Sequence, residues 1–122
     1  MKTTLKKVSL IILFSTSVAA FAQYTGPNST NKTLTVLEVK KNAAQLDKSD
    51  TNVKLSGYVI EKINKDTYWF QDATGKVLIE IESKYLPTIN FDEKTKINII
   101  AEVDYDELEE VELEVEHLEI AL

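Results

Sequence analysis

The chain has 122 residues, with fourteen lysines and no arginine against twenty acidic residues, a formal net charge of −6 and an isoelectric point near 4.8. Without arginine it lacks the planar donor best suited to gripping phosphate in two places, so nucleic acid is not expected as a partner. It also has no cysteine, which excludes disulfides, thiol catalysis and cysteine-held metal.

In chain order, residues 1–22 have the three-part layout of a cleaved export signal. Lys2, Lys6 and Lys7 supply the basic start, Val8 to Phe14 the apolar run, and Ala20-Phe21-Ala22 the small-residue cleavage site. The apolar run is well short of the roughly 20 residues a spanning helix needs, so no membrane span is expected after cleavage. No cysteine follows the run to accept a lipid. Cleavage would leave 100 residues, one small domain's worth, and a net charge of −9, because three lysines leave with the signal and no acid does. Residues 23–34, polar and broken by Gly26-Pro27, are expected as a flexible lead-in.

From residue 35 the pattern becomes regular. Thr35 and Glu38 have the spacing of a capping box, and Val36, Val39, Ala43 and Leu46 recur near helical period. An amphipathic helix is therefore expected over about Val36 to Leu46, ending in KSDTN. The period then changes to two. Val53, Leu55, Gly57, Val59 and Ile63 alternate with polar residues, and Gly57 signals a bulge or a sharp coil in a long strand. After the turn Asn64-Lys65-Asp66, two strands flank Asp72-Ala73-Thr74-Gly75, which has the composition of a type I turn closed by a left-handed glycine.

Val77, Ile79 and Ile81 share a strand face opposite Glu80 and Glu82. Since two glutamates are not buried unpaired, the first set belongs to the core. Matching Tyr68 and Phe70 to that core leaves Trp69 and Gln71 outside, near Leu78; a hairpin register shifted by one would swap them. Pro87 limits residues 83–91 to a short helical turn. A fourth strand carries Ile97, Ile99, Ala101 and Val103 on one face, and the acidic DYDELEE leads to a fifth. There Val111, Leu113 and Val115 fall out of step with Leu118, Ile120 and Leu122, which places a bulge near Glu116-His117. One helix and five short strands suggest a small barrel, in which closure removes exposed edges. Periodicity alone leaves a sandwich or an open sheet as alternatives.

Three segments carry a resemblance: V-x-L-x-G (Val53, Leu55, Gly57), Y-x-F-x-D-x-x-G-x-V-x-I-x-I from Tyr68 to Ile81, and E-V-D-x-D from Glu102 to Asp106. In this order, after the capped helix and the signal-like start, they resemble the bacterial OB-fold, or BOF, family of exported stress-tolerance proteins. The resemblance implies a mainly β fold, a five-stranded OB barrel with an added N-terminal α-helix in a single domain over residues 35–122. It implies a periplasmic, non-enzymatic protein without a cofactor, and it brings no catalytic residue.

The outer face of strands two and three of an OB barrel is a usual ligand surface. Tyr58, Lys62, Trp69 and Leu78, bordered by Tyr105, are accordingly the expected contact face, with Trp69 as its stacking residue. Packing of Trp69 beneath the helix or a loop is the alternative. The expected partner is an envelope component: a glycan, a peptide or a protein. As a second function class, Asp104, Asp106, Glu107 and Glu109 offer oxygen ligands for a hard cation, without the glycine and fixed spacing of a calcium loop. His117, the sole histidine, lies in no catalytic motif and is expected at a bulge or edge.

Overall fold

The computed structural model describes residues 32–121. The signal-like stretch 1–22, residues 23–31 with Gly26-Pro27, and Leu122 lie outside the described residues. In chain order the elements are α1 (Val36–Lys41), α2 (Ala43–Lys48), β1 (Asn52–Lys62), β2 (Thr67–Asp72), β3 (Gly75–Glu80), the 3-10 turn η1 (Ser83–Tyr85), β4 (Ile97–Asp104) and β5 (Glu112–Ile120).

The helical segment starts where the capping box places it. Thr35 Oγ1 accepts the Glu38 N–H at 3.1 Å, and Glu38 Oε1 accepts the Thr35 N–H at 2.9 Å. The single expected helix is two short ones, because Asn42 interrupts it at φ −110°, ψ 17°. The Asn42 side-chain amide and backbone N–H both donate to the Glu38 carbonyl, a local bond that competes with helix continuation. The apolar period survives the break: Val36, Val39 and Ala43 are buried against the sheet and Leu46 packs beside them. Just before α1, at the end of the lead-in expected to be flexible, Thr33 forms a parallel bridge to Lys54, and the Leu34 N–H donates to the Lys54 carbonyl at 2.8 Å.

The five strands close into a barrel in the order β1-β2-β3-β5-β4. β1 serves both sides of it, pairing with β4 through Gly57 and with β2 from Tyr58 onward. Gly57 is thus the hand-over point of a coiled strand, and the bulge lies further on, between Val59 and Glu61. The glycine is required by contact. A Cβ there would overlap the Gln71 carbonyl oxygen and stand 2.8 Å from Phe70 Cζ. The β2–β3 hairpin keeps the register argued from the two glutamates: Tyr68 opposite Ile79, Trp69 opposite Leu78, Phe70 opposite Val77. Its turn closes at Gly75, whose φ of +156° lies in extended positive-φ space rather than the left-handed helical region.

β5 carries the expected phase slip. Ile100 faces His117 but Ala101 faces Val115, so Glu116 is the extra residue of a bulge. Leu113 and Val115 before it, and Leu118 after it, all reach the core. Phe70, Leu55, Ile79, Ile97 and Ile99 are fully buried at its centre. Ile63, expected in the core alternation of β1, lies past the strand's end and is exposed. Among the described residues no buried side-chain polar atom lacks a partner, and no helix is long and apolar enough to cross a membrane.

Candidate binding site

The outer barrel face is built in rows across the strands. One row runs Glu61, Trp69, Leu78, Glu112, Asp104 through β1, β2, β3, β5 and β4. The row beside it begins Tyr58, Gln71, Lys76. Trp69 and Leu78 are cross-strand partners, and both are half-buried. Lys76 reaches diagonally over the Trp69 ring, its ammonium 4.5 Å from the centroid, a cation–π contact. The Lys76 backbone is held in turn, its carbonyl accepting Lys40 Nζ at 3.1 Å. Tyr58 stands on the same face one row away, 36% exposed.

One of the five expected contact residues, Lys62, falls elsewhere, while Tyr105 lies on a bordering loop as expected. The bulge at Ile60 slips β1 by one residue, so Glu61 rather than Lys62 sits beside Trp69. Lys62 faces Tyr68 instead, its ammonium 5.7 Å from that ring's centroid. Tyr105 belongs to the β4–β5 connection and is tied to the helical segment, its backbone N–H donating to Asp47 Oδ2 at 2.9 Å. The outer-face cluster that the strand register assembles is Tyr58, Trp69 and Leu78, with Glu61 and Lys76 at its border.

The acidic group does not gather into a cage. Asp106 Oδ1 accepts the Leu108 N–H at 2.9 Å and so is engaged in its own turn, while Asp104 lies opposite Glu112 in the sheet. Among the described residues no three acidic or histidine side chains stand close enough to hold a metal ion. The acids instead form a like-charged seam where the barrel closes. β3 meets β5 over Leu78–Glu112, Ile79–Leu113 and Glu80–Glu114, and Glu114 faces Glu102 on the other side.

Partial burial, then repulsion from Glu80, Asp104, Glu114 and Asp66, raises the Glu112 carboxyl above its usual value. Glu114 is raised by burial and then by Asp104, Glu80, Glu102 and Glu82. Glu116 is raised by burial and by sharing a hydrogen bond with Glu102, partly offset by Asn52. A carboxyl whose folded value is raised favours the fold fully below its unfolded value of 4.5, and that contribution is lost as pH rises through the folded value. Stability is accordingly expected to rise from pH 7 toward pH 5. At pH 7, Glu114→Gln should stabilise by about 0.5 kcal/mol, allowing for solvent screening of opposed like charges, a gain of about 3 °C in Tm. Thermal melts of both proteins across that range check it; an unchanged or lowered melting point at pH 7 would refute the account of the seam.

A second surface gave little sequence signal. The residues Val59 to Lys62 of β1, Tyr68 and the loop 86–93 enclose a hollow of about 430 Å³. A neighbouring hollow of about 420 Å³ runs from it past Tyr58 and Gln71 to the hairpin turn. The two share Ile60 and Glu93. Only Ile60, Leu86 and Ile89, apolar residues without a place in any period, hinted at it.

Comparison with known proteins agrees with this architecture. A family model described as bacterial OB fold (BOF) protein matches residues 14–120. The calcium-regulated OB-fold protein CarO of Pseudomonas aeruginosa is 39% identical over 113 residues, covering 93% of this chain and 91% of its own. Protein YgiW of Escherichia coli K12 is 30% identical, with 81% of this chain and 82% of its own covered. The solved structure of the hypothetical protein ygiW from E. coli superposes with a TM-score of 0.64 at 31% identity, over 82% of this chain and 99% of that one.

Proposed function

Because the chain belongs to the bacterial OB-fold (BOF) family, we propose that it works by binding rather than by catalysis, as an exported periplasmic protein that contacts an envelope component. The observation that carries this reading is the Trp69–Leu78 pair, left half-buried on the outer face of β2 and β3. The family signature and core packing account for Tyr68 and Phe70, but they do not require an indole on the outside. The flat indole with an ammonium already on it suits a ligand that stacks, such as a sugar ring, or one that brings its own cation in place of Lys76. The signal-like pattern of residues 1–22, and the stress tolerance that the resemblance leads one to expect, fit a task at the envelope.

Tryptophan fluorescence tests the reading, since Trp69 is the only tryptophan. Its emission is expected to be that of a partly solvated indole and to shift on titration with soluble peptidoglycan fragments or with short peptides. Trp69→Leu should abolish that binding while the melting point changes by less than about 1 kcal/mol equivalent. A spectrum unmoved by glycan and peptide alike would sink the contact face.

Calcium is the third titrant, prompted by the name of the calcium-regulated relative and by the acidic seam. Ungathered carboxylates attract cations diffusely, so affinity no tighter than about millimolar is expected, weaker than sensor-type calcium sites.

A further inference from the structure

From the paired hollows around Ile60 we infer that the face formed by β1 and the loop 86–93 is a docking groove for a basic, aliphatic polypeptide segment of a partner protein. The groove adjoins the Trp69 face and shares Tyr58 and Glu61 with it, but Ile60 and the loop 86–93 belong to the groove alone and Trp69 and Leu78 to the other face, so either reading can fail without the other. Its first support is where exposed apolar surface collects. Tyr58, Ile60, Leu86 and Ile89 are half of the large hydrophobic residues left exposed among the described residues, and all four line the two adjoining hollows. Ile89 is 62% exposed at the rim. Scattered apolar residues need no explanation, but a contiguous rimmed patch marks an interaction surface.

The groove is also held in shape. The β1 bulge turns Ile60 outward between the two hollows. The far end of the loop is stapled by Asp92, whose Oδ1 accepts the Lys94 N–H at 2.9 Å and the Thr95 hydroxyl at 3.1 Å, while the Asp92 N–H donates to Thr95 Oγ1. A wall ordered in advance lowers the entropy cost of binding.

Charge selects the occupant. The rim carries Glu61, Asp92, Glu93 and Asp72 against the single cation Lys62, and Lys62 is turned over Tyr68. Neither Glu61 nor Glu93 has an ion pair among the described residues. An apolar floor with an acidic rim complements a segment that alternates aliphatic side chains with lysine or arginine. A glycan fits poorly in the hollow beside loop 86–93, because Tyr68 there is buried and the exposed ring of Tyr58 belongs to the neighbouring hollow. A second copy of this chain would bring a net charge of −6 against the same acids.

The probe is a short synthetic peptide alternating lysine and leucine, titrated into the isotope-labelled protein and followed by amide chemical shifts. A matched glutamate–leucine peptide serves as control. Shifts are expected at residues 59–62 and 86–93 with the lysine peptide alone, weakening as salt is raised. Ile89→Lys and Glu93→Lys, both at exposed positions, should each weaken binding about tenfold or more, whereas Trp69→Leu should leave it intact. The proposal is overturned if the glutamate peptide binds equally, if the shifts map to the acidic seam or the Trp69 face, or if neither peptide binds. It is likewise overturned if these residues respond to protein concentration alone, which would make the groove a self-association surface.

Discussion

Gly57→Ala is expected to be among the most damaging single substitutions in the chain, costing about 3 kcal/mol or more. Alanine is ordinarily mild in a strand, and Gly57 has no positive φ to preserve, so the cost comes from contact alone. The added methyl meets two things at once, the Gln71 carbonyl oxygen and the edge of the fully buried Phe70 ring. The ring can be shortened and the carbonyl cannot, which gives the prediction internal structure. Phe70→Leu alone removes volume at the centre of the core and should cost about 1–2 kcal/mol. Combined with Gly57→Ala it should recover part of the loss, a favourable coupling of about 1 kcal/mol, while the clash with backbone remains. Domains of this size have about 5–15 kcal/mol in total, so the alanine variant should melt about 15 °C lower. Denaturant and thermal unfolding of the four proteins of the cycle decide it. Additive losses, or a neutral Gly57→Ala, would mean that β1 can move away from β2 at the hand-over.

The same hand-over shows what the sequence carried and what it hid. Strand parity was legible wherever a charged residue could not be buried. Glu80 and Glu82 settle the face of β3, and through the hairpin register they settle Trp69 and Phe70 as well. The break in alternation after Val115 likewise announces the bulge at Glu116. The bulge at Ile60 was silent because β1 there runs Ile60, Glu61, Lys62, all exposed, and no core residue enforces a parity. The slip moved Lys62 out of the expected contact face and brought Glu61 in. Tyr105 lies on the β4–β5 connection as expected, but its backbone tie to Asp47, 58 residues away in the chain, is a long-range contact that local pattern does not announce. The groove beside loop 86–93 depends on how an aperiodic segment returns across β1, which local pattern does not encode.

Asp72 was legible only as a turn residue, yet it is also the anchor of the helical segment, and Asp72→Ala is expected to cost about 2 kcal/mol. Its Oδ2 accepts the Val36 N–H at 2.9 Å, and its Oδ1 accepts the Thr74 N–H at 2.8 Å and the Thr74 hydroxyl at 2.6 Å. Thr74 Oγ1 in turn accepts the Leu37 N–H at 3.0 Å. One carboxylate thus satisfies orphan donors at the start of α1 and sets the hairpin turn that reaches them. Helices of six residues do not stand alone in water, so they depend on this anchor and on burial of Val36 and Val39. In Asp72→Ala the amides of Val39 to Leu46 should lose hydrogen-exchange protection before those of the sheet, and Asp72→Asn should fall between the two. Partial burial alone would raise the Asp72 carboxyl, but hydrogen bonds from Thr74, Val36 and Gly75 outweigh it and hold it below its usual 3.8. Its stabilising contribution is therefore present above pH 3.8 and lost as pH falls through the lower folded value. The acidic seam gains stability on the way down from neutrality, and the helix anchor fails only below that range. Wild-type stability should consequently peak in mild acid, and the acid-side fall should be shallower in Asp72→Ala, which has no anchor left to titrate. If the two proteins lose stability in parallel below pH 4, some other carboxylate governs the acid limb. Unchanged helix protection in Asp72→Ala would show that packing of Val36 and Val39 suffices without the cap.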